Sequence, residues 1–483
     1  MTGSGVAPDA VGDPAEDPRL TRFYRQRLSW RGCSGGVECV SLTVPVDWAR
    51  PEGATIDVAL ARKKASGDRL GALVFNPGGP GVAALPYVRA SEQLIGDTLA
   101  EHYDFVGFDP RGVGESAPVR CLTDAETERM SAADSTPDDA TELARTVADL
   151  RDFGEACRRR TGELLGHVDT LSVVRDLDVL RAALGERVLT FWGASYGTLV
   201  GARYAETFPW RVGRMLLDGA VDPSLTSEQY LEGQAIGFDR GLRRYVAHCQ
   251  GRRRCPLTGD VEHGLRQLGD LVAATDSAPL PTDGSRKLTQ SLLITGLAQG
   301  LYDDGSWDGL TDGLREAFSG EGTELLSMAD QYLDRDRKGR YGQVNAASPA
   351  VFCLDHPESR TPEQIRTDAS AVQDRLSPLG GAIAWGALGC ASWPEPGAVP
   401  DRPVDADGSA PVLVVGTVGD PATPYEWAQA LAGQLSSARL LTWEGSGHTA
   451  FRRGSDCVDA AVEAYLVSGA LPAEGTRCPA SDG

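Results

Sequence analysis

The sequence predicts an α/β protein built on a mostly parallel, doubly wound sheet with a large helical insertion. Three observations predict it. Short β-branched and aromatic runs alternate with helical patterns through the first half of the chain, as in a parallel sheet covered on both faces. The rhythm breaks after Asp218, where mainly helical segments take over, and it resumes at "APVLVVGTVGD" and "ARLLTWEG". The 483 residues therefore divide into a Pro-, Gly- and Asp-rich stretch, 1–20, read as a flexible leader, a first part of the sheet unit, 21–221, a helical insertion, 222–400, and a second part of the sheet unit, 401–483.

Each element has a local reason. The first two strands, "CVSLTVPV" and "TIDVALAR", have only "DWARPEGA" between them. That is too short for a helical crossover, so they pair antiparallel. "ALVFN", "DFVGFD", "VLTFWG" and "RMLLD" follow, with helical patterns between most of them. In the insertion, "TQSLLITGLAQGLY" and "WDGLTDGLREAF" repeat apolar residues at helical spacing. An insertion at this point can cover the C-terminal edge of the sheet, where open α/β sheets bind ligands.

Composition narrows the classes. With 41% hydrophobic and 24% charged residues the chain reads as an ordinary globular protein, and no run approaches the ~20 apolar residues of a membrane span. A net charge of -21 argues against a nucleic-acid partner, whose phosphates it would repel. The ten cysteines fall as Cys33/Cys39, Cys121/Cys157, Cys249/Cys255, Cys353/Cys390 and Cys457/Cys478. An even count suggests disulfides, although sequence does not fix their connectivity. The absence of any C-x-x-C speaks against metal. Disulfides imply an oxidising location, secreted or in the cell envelope. The N-terminus shows neither the basic nor the apolar region of a signal peptide, so a cytoplasmic protein with free thiols is the alternative. Nothing in the sequence sets the oligomeric state.

The chemistry centres on "VLTFWGASYGTLVG", residues 188–201. A strand ends here and a helix begins, and Gly193-x-Ser195-x-Gly197 is the pattern of a nucleophile elbow. A serine hydroxyl needs a base, an acid to orient that base, and donors for the oxyanion. His448, on the short loop of "TWEGSGHTAF", follows the last predicted long strand and is the best-placed of six histidines. Asp420, ending "PVLVVGTVGD", is the preferred acid. Asp218, ending "RMLLD", is its rival, and both keep the order Ser, Asp, His. The glycine turn "LVFNPGGPGVA" supplies oxyanion donors, with the Gly79 amide paired to that of Tyr196. It lacks the lysine and spacing of a phosphate-binding loop. No cofactor or metal is called for.

Taken together these segments resemble the actinobacterial tripeptidyl aminopeptidases, serine exopeptidases of the α/β-hydrolase fold related to prolyl iminopeptidases. The resemblance runs through "ECVSLTVPVDWARP", "NPGGPG", "FDPRGVGES", "WGASYGT", "LLDGAVDP", "GDPATP", "GSGHTAF" and "YLVSGALPAEGTRC", nearly the whole chain after the leader. It implies that Ser195, Asp420 and His448 form a triad, that the helical block is a cap, and that the substrates are peptides. One departure is visible: Val82, Ala83 and Ala84 follow Gly81 where a serine and another glycine are usual.

Removing short peptides from a free N-terminus requires carboxylates to hold the ammonium group, and Asp303, Asp304 and Asp355 in the insertion are the candidates. Two other functions stay open on the residues alone. One is an esterase, amidase or acyl-transferring enzyme acting on a small acyl substrate, because fold and triad do not choose the acyl group. The other is a non-catalytic binding protein of the same fold, against which a full set of nucleophile, base, acid and glycine turn weighs.

Overall fold

The computed structural model describes residues 13–399 and 401–480. Of the stretch 1–20, residues 1–12 lie outside the described residues. Within 13–20, Leu20 packs against the core and Asp13 pairs with the Arg211 guanidinium.

Among the described residues ten strands form one sheet: β1 (Arg31–Cys33), β2 (Val37–Pro45), β3 (Thr55–Lys63), β4 (Gly71–Asn76), β5 (Tyr103–Phe108), β6 (Leu189–Ala194), β7 (Val212–Asp218), β8 (Val412–Gly419), β9 (Ala438–Ser446) and β10 (Arg477–Cys478). Their order is β1-β2-β3-β5-β4-β6-β7-β8-β9-β10. The first four neighbours, through β5, pair antiparallel, and the rest pair parallel. The eight strands expected from sequence are all present. The edge strands β1 and β10, of three and two residues, are additional.

Both faces of the sheet are buried, and the strand period shows it. Val74, Phe191, Met215, Leu217, Val412 and Val414 point into one core. Their neighbours Leu73, Phe75, Trp192, Leu216, Leu413 and Val415 point into the other. Successive residues alternate sides, so the continuous apolar runs make strands covered on both faces. Between β7 and β8 the chain runs through a succession of helices, from Ser227–Gln250 to Ala387–Ala391, with an apolar core of their own.

Pairing register lines up the strand ends. Asn76 of β4 stands opposite Gly193 of β6, Ala194 opposite Asp218 of β7, and Gly419 of β8 opposite Ser446 of β9. The glycine turn, Ser195, Asp420 and His448 therefore all leave the sheet at one edge. Asp218 pairs with Val415, so Asp420 comes five residues further along its strand.

All ten cysteines are paired, Cys33–Cys39, Cys121–Cys157, Cys249–Cys255, Cys353–Cys390 and Cys457–Cys478, each with the next cysteine in the chain. A crosslink restricts the unfolded chain more when its loop is longer. Replacing both Cys353 and Cys390, 37 residues apart, by serine should cost about 4 kcal/mol of stability, and replacing Cys33 and Cys39, six apart, about 2 kcal/mol. Urea unfolding of the two variants checks the order.

Candidate active site

Ser195 sits on a sharp turn between β6 and the helix Gly197–Thr207. Its φ is 55°, a left-handed value that costs a residue with a Cβ about 1 kcal/mol. The turn is held by the Ser195 amide donating to the Asp218 carbonyl (2.8 Å) and by the Thr198 amide donating to the Ser195 carbonyl (2.9 Å). Close packing explains the two flanking glycines. A Cβ on Gly193 would run into the Gly197 carbonyl, and one on Gly197 into the Asn76 carbonyl. The turn therefore closes only with glycine at both places, which is why the five-residue pattern marks it.

The imidazole and the acid meet. His448 Nδ1 lies 2.9 Å from Asp420 Oδ2 and 3.0 Å from Oδ1. Asp420 also accepts the amides of Ala422, Thr423 and Thr449, and the Thr423 hydroxyl donates to its Oδ2 at 3.0 Å. Burial pushes the Asp420 carboxyl up, but the facing imidazole and these donors outweigh it and hold the group below its usual value. The His448 amide donates to the carbonyl of Tyr302, in the helical block, at 2.9 Å. Ser195 and His448 line one cavity of about 750 Å³. No hydrogen bond joins their side chains, a contact that in unliganded enzymes often tightens only with substrate.

Asp218 faces elsewhere. Its carboxylate accepts the amides of Ala450 (2.9 Å) and Phe451 (3.0 Å), so it holds the loop that follows His448. Burial raises it to about 6. The extra length of β8 explains the division, since it carries Asp420 past Asp218 to the level of the imidazole.

The glycine turn abuts the elbow. Gly78 packs so closely on Tyr196 that a Cβ there would lie 2.7 Å from the Tyr196 nitrogen. Among the described residues neither the Gly79 nor the Tyr196 amide has a protein acceptor. Two free donors beside a serine on a helix N-terminus suit an oxyanion. The Val82-Ala83-Ala84 departure leaves this backbone intact, because Asp109 accepts the Ala84 amide (2.8 Å) and the Val82 amide returns to the Gly78 carbonyl (3.2 Å).

The three acids expected to hold an ammonium group are engaged in other ways, and none lines the cavity. Asp303 accepts the Gly305 amide and pairs with Arg453 at 3.0 Å. Asp304 accepts from the Ser446 hydroxyl on the histidine loop. Asp355 is buried at the end of the helix Val344–Asp355, where it takes the amide and hydroxyl of Thr170 and the Tyr196 hydroxyl. Only 1% of it is exposed, and its bond to Tyr196 ties the helix end to the elbow. A second cavity of about 1020 Å³ adjoins the first and shares Gly79, Pro80, Tyr302, Tyr332, Asn345 and Ser348 with it. Among the described residues the carboxylate that lines it is Asp124, beside Arg120 and Arg160, and its Oδ1 accepts the Tyr341 amide at 3.0 Å. Asp124 and Thr423 were not singled out from sequence. Thr423 lies in the quoted "GDPATP", where a hydroxyl three residues after the acid was the available signal.

The chain is 38% identical to the serine protease Hip1 of Mycobacterium tuberculosis, over 94% of this chain and 91% of that one. It belongs to the tripeptidyl aminopeptidase-like family of α/β-hydrolases. Residues 377–478 match the family model described as TAP-like protein. Within the family it is 36% identical to carboxylesterase B of M. tuberculosis, over 93% of this chain and 89% of that one. It is 32% identical to the tripeptidyl aminopeptidase of Streptomyces coelicolor, over 95% and 87%. As a member of this family it is a serine hydrolase.

Two expectations follow. Asp420→Asn should lower kcat by roughly 10⁴, because the imidazole loses the partner that fixes its tautomer, while Asp218→Asn should lower it far less. Turnover of a chromogenic substrate, at matched thermal stability, decides between them, and the reverse order would make Asp218 the acid. The second concerns Asp355, which burial raises to about 6 from an ordinary 3.8. A carboxyl raised on folding contributes stability that is full below about pH 4 and is lost as pH rises through about 6. Asn at this position never charges, and the two hydroxyls can reverse their hydrogen bonds to serve its amide. Asp355→Asn should therefore gain stability relative to the wild type between pH 4 and 6, by up to about 3 kcal/mol, and then level off. A difference independent of pH in urea unfolding would mean that Asp355 titrates normally.

Proposed function

We propose that the protein is an aminopeptidase that removes short peptides from a free N-terminus. Ser195 attacks the carbonyl carbon, His448 takes its proton and passes it to the leaving nitrogen, and Asp420 holds the imidazole in the tautomer this requires. The amides of Gly79 and Tyr196 receive the oxyanion. Water, deprotonated by the same imidazole, then releases the acyl group from Ser195. The observation that carries this reading is the meeting, in one cavity, of a strained serine and an imidazole backed by a buried carboxylate, with the amides of Gly79 and Tyr196 beside the serine and without acceptors among the described residues.

The helical block, residues 222–400, acts as the cap. In support, Tyr302, Tyr332, Asn345 and Ser348 from the block face Gly79 across both cavities. The larger cavity takes the acyl peptide, and Asp124 at its wall receives the ammonium group, the role expected of Asp303, Asp304 and Asp355. Relatives named as a serine protease and as a tripeptidyl aminopeptidase support peptides as substrates. The relative named carboxylesterase B favours a second reading, ester hydrolysis at the same serine. Five cysteine pairs support a place in an oxidising compartment, secreted or in the cell envelope. Among the described residues no helix is long and apolar enough to cross a membrane.

Acetylating the substrate N-terminus removes its charge and leaves the acyl chemistry unchanged. We expect kcat/KM to fall by roughly 10²-fold on acetylation, since Asp124, exposed in the free protein and covered by the bound peptide, then loses its partner while the acetyl group adds bulk. Asp124→Asn should shrink that ratio. Equal rates on free and acetylated peptides, or turnover of esters alone, would refute the aminopeptidase reading. Ser195→Ala serves as the inactive control.

A further inference from the structure

The cavity beside Ser195 carries fixed charge of one sign. Arg452 and Arg453 line it, and among the described residues no aspartate or glutamate does. This stands out in a chain with a net charge of -21. Both arginines follow His448 on the same loop. Arg452 has a left-handed φ of 62°, and its guanidinium lies over Gly96, where a Cβ would come within 3.0 Å of Cζ. Its amide donates to Asp459 Oδ1 at 2.8 Å, while its guanidinium donates no hydrogen bond among the described residues and faces the same carboxylate with Nη1 3.6 Å from Oδ2. Arg453 gives Nη1 to Asp303 at 3.0 Å and points Nε at the Thr449 hydroxyl at 3.4 Å. Its Nη2 has no acceptor among the described residues. Guanidinium donors without acceptors are suited to a planar carboxylate.

Their place relative to the chemistry decides which part of a substrate they meet. His448 must protonate the leaving nitrogen, so the leaving group lies on the imidazole side of Ser195. The wall on that side continues through Thr449 and Phe451 to the two arginines. The acyl group lies on the other side, past Gly79 in the larger cavity. Both arginines line the same cavity as Ser195 and follow His448 by four and five residues, which sets them beside the leaving portion of a short substrate.

We propose that Arg452 and Arg453 bind a carboxylate on the leaving portion of the substrate. The preferred substrates are then short peptides in which a carboxylate, terminal or side-chain, lies on the residue just beyond the cleaved bond. The inference rests on the peptidase reading above and names its substrate class. In the reaction the C–N bond breaks, the nitrogen takes its proton from His448, and the amine product leaves with its own carboxylate. Both guanidiniums are partly exposed, so salt screens the attraction.

The test uses three peptides with one acyl part and a free N-terminus, whose leaving residue is alanine acid, alanine amide or glutamate amide. For the wild type we expect kcat/KM on alanine acid, or on glutamate amide, to exceed that on alanine amide by about tenfold, mainly through KM. Whichever of the two is favoured identifies the carboxylate as terminal or side-chain. The ratio should fall toward one in 1 M salt, where the Debye length is ~3 Å, a reading that needs no variant. It should also collapse in Arg452→Met/Arg453→Met and survive in part in Arg453→Lys. Each ratio is taken within one enzyme, so a general loss of activity does not affect it. Equal turnover of all three peptides by the wild type overturns the inference and leaves the peptidase reading intact, and so does a ratio that persists in the double variant. Turnover of none of them, with an ester still hydrolysed, overturns the peptidase reading itself.

Discussion

The loops above the sheet are held in place by carboxylates buried at the ends of its strands, each accepting hydrogen bonds from backbone amides. Asp109, just past β5, takes the amides of Ala84, Leu85 and Glu115, which ties down the chain leaving the glycine turn. Asp218 closes β7 and takes those of Ala450 and Phe451. Asp420, just past β8, takes those of Ala422, Thr423 and Thr449. Burial raises Asp109 and Asp218, so keeping them charged is costly. Hydrogen bonds to a charged acceptor, roughly 1.5–3 kcal/mol each, offset that cost. Loops that share so few other constraints thus take their positions from the sheet itself.

The helical block is fastened by the same means. Asp355, at the end of one of its helices, reaches the Tyr196 hydroxyl and Thr170. Arg244, on the helix Ser227–Gln250, donates to the carbonyl of Gly419, next to Asp420. The Tyr302 carbonyl takes the His448 amide. Elements outside the sheet are therefore built into the supports of the serine, the acid and the imidazole. Displacement of the block would move all three.

What the sequence made legible was what is local. The eight longer strands could be read because a buried strand writes its own apolar run, and the elbow because only glycine tolerates the approach of Gly197 and Asn76 at those two positions. β1 and β10 were not legible. Three and two residues carry no period, and these strands exist because of their partners: β1 pairs with β2 across the Cys33–Cys39 bridge, and Cys478 of β10 is bonded to Cys457. The surroundings of the candidate substrate carboxylates were not legible for a related reason. Whether an aspartate meets a ligand depends on what surrounds it, and Asp355, which reads like any acid at a helix end, is enclosed by Thr170 and Tyr196. Asp124 carries no local mark at all, yet it lines the cavity.

The rivalry between Asp218 and Asp420 shows how a small difference in length separates two similar groups. Both stand at the ends of adjacent parallel strands, both are buried, and both lie near His448. Asp420 lies five residues beyond the partner of Asp218, and that distance brings it to Nδ1 while Asp218 stops at the loop behind. Their charges then diverge. Facing the imidazole holds Asp420 down, whereas Asp218, with amides as its hydrogen-bond donors, is raised to about 6. In the mechanism proposed above, the carboxylate that must stay ionised opposite a developing imidazolium is the one that faces the ring, and the other is left to set the course of the chain after His448. The loop that carries Arg452 and Arg453 is therefore held by both carboxylates, Asp420 through the Thr449 amide and Asp218 through those of Ala450 and Phe451, while Asp420 is the one that reaches the ring.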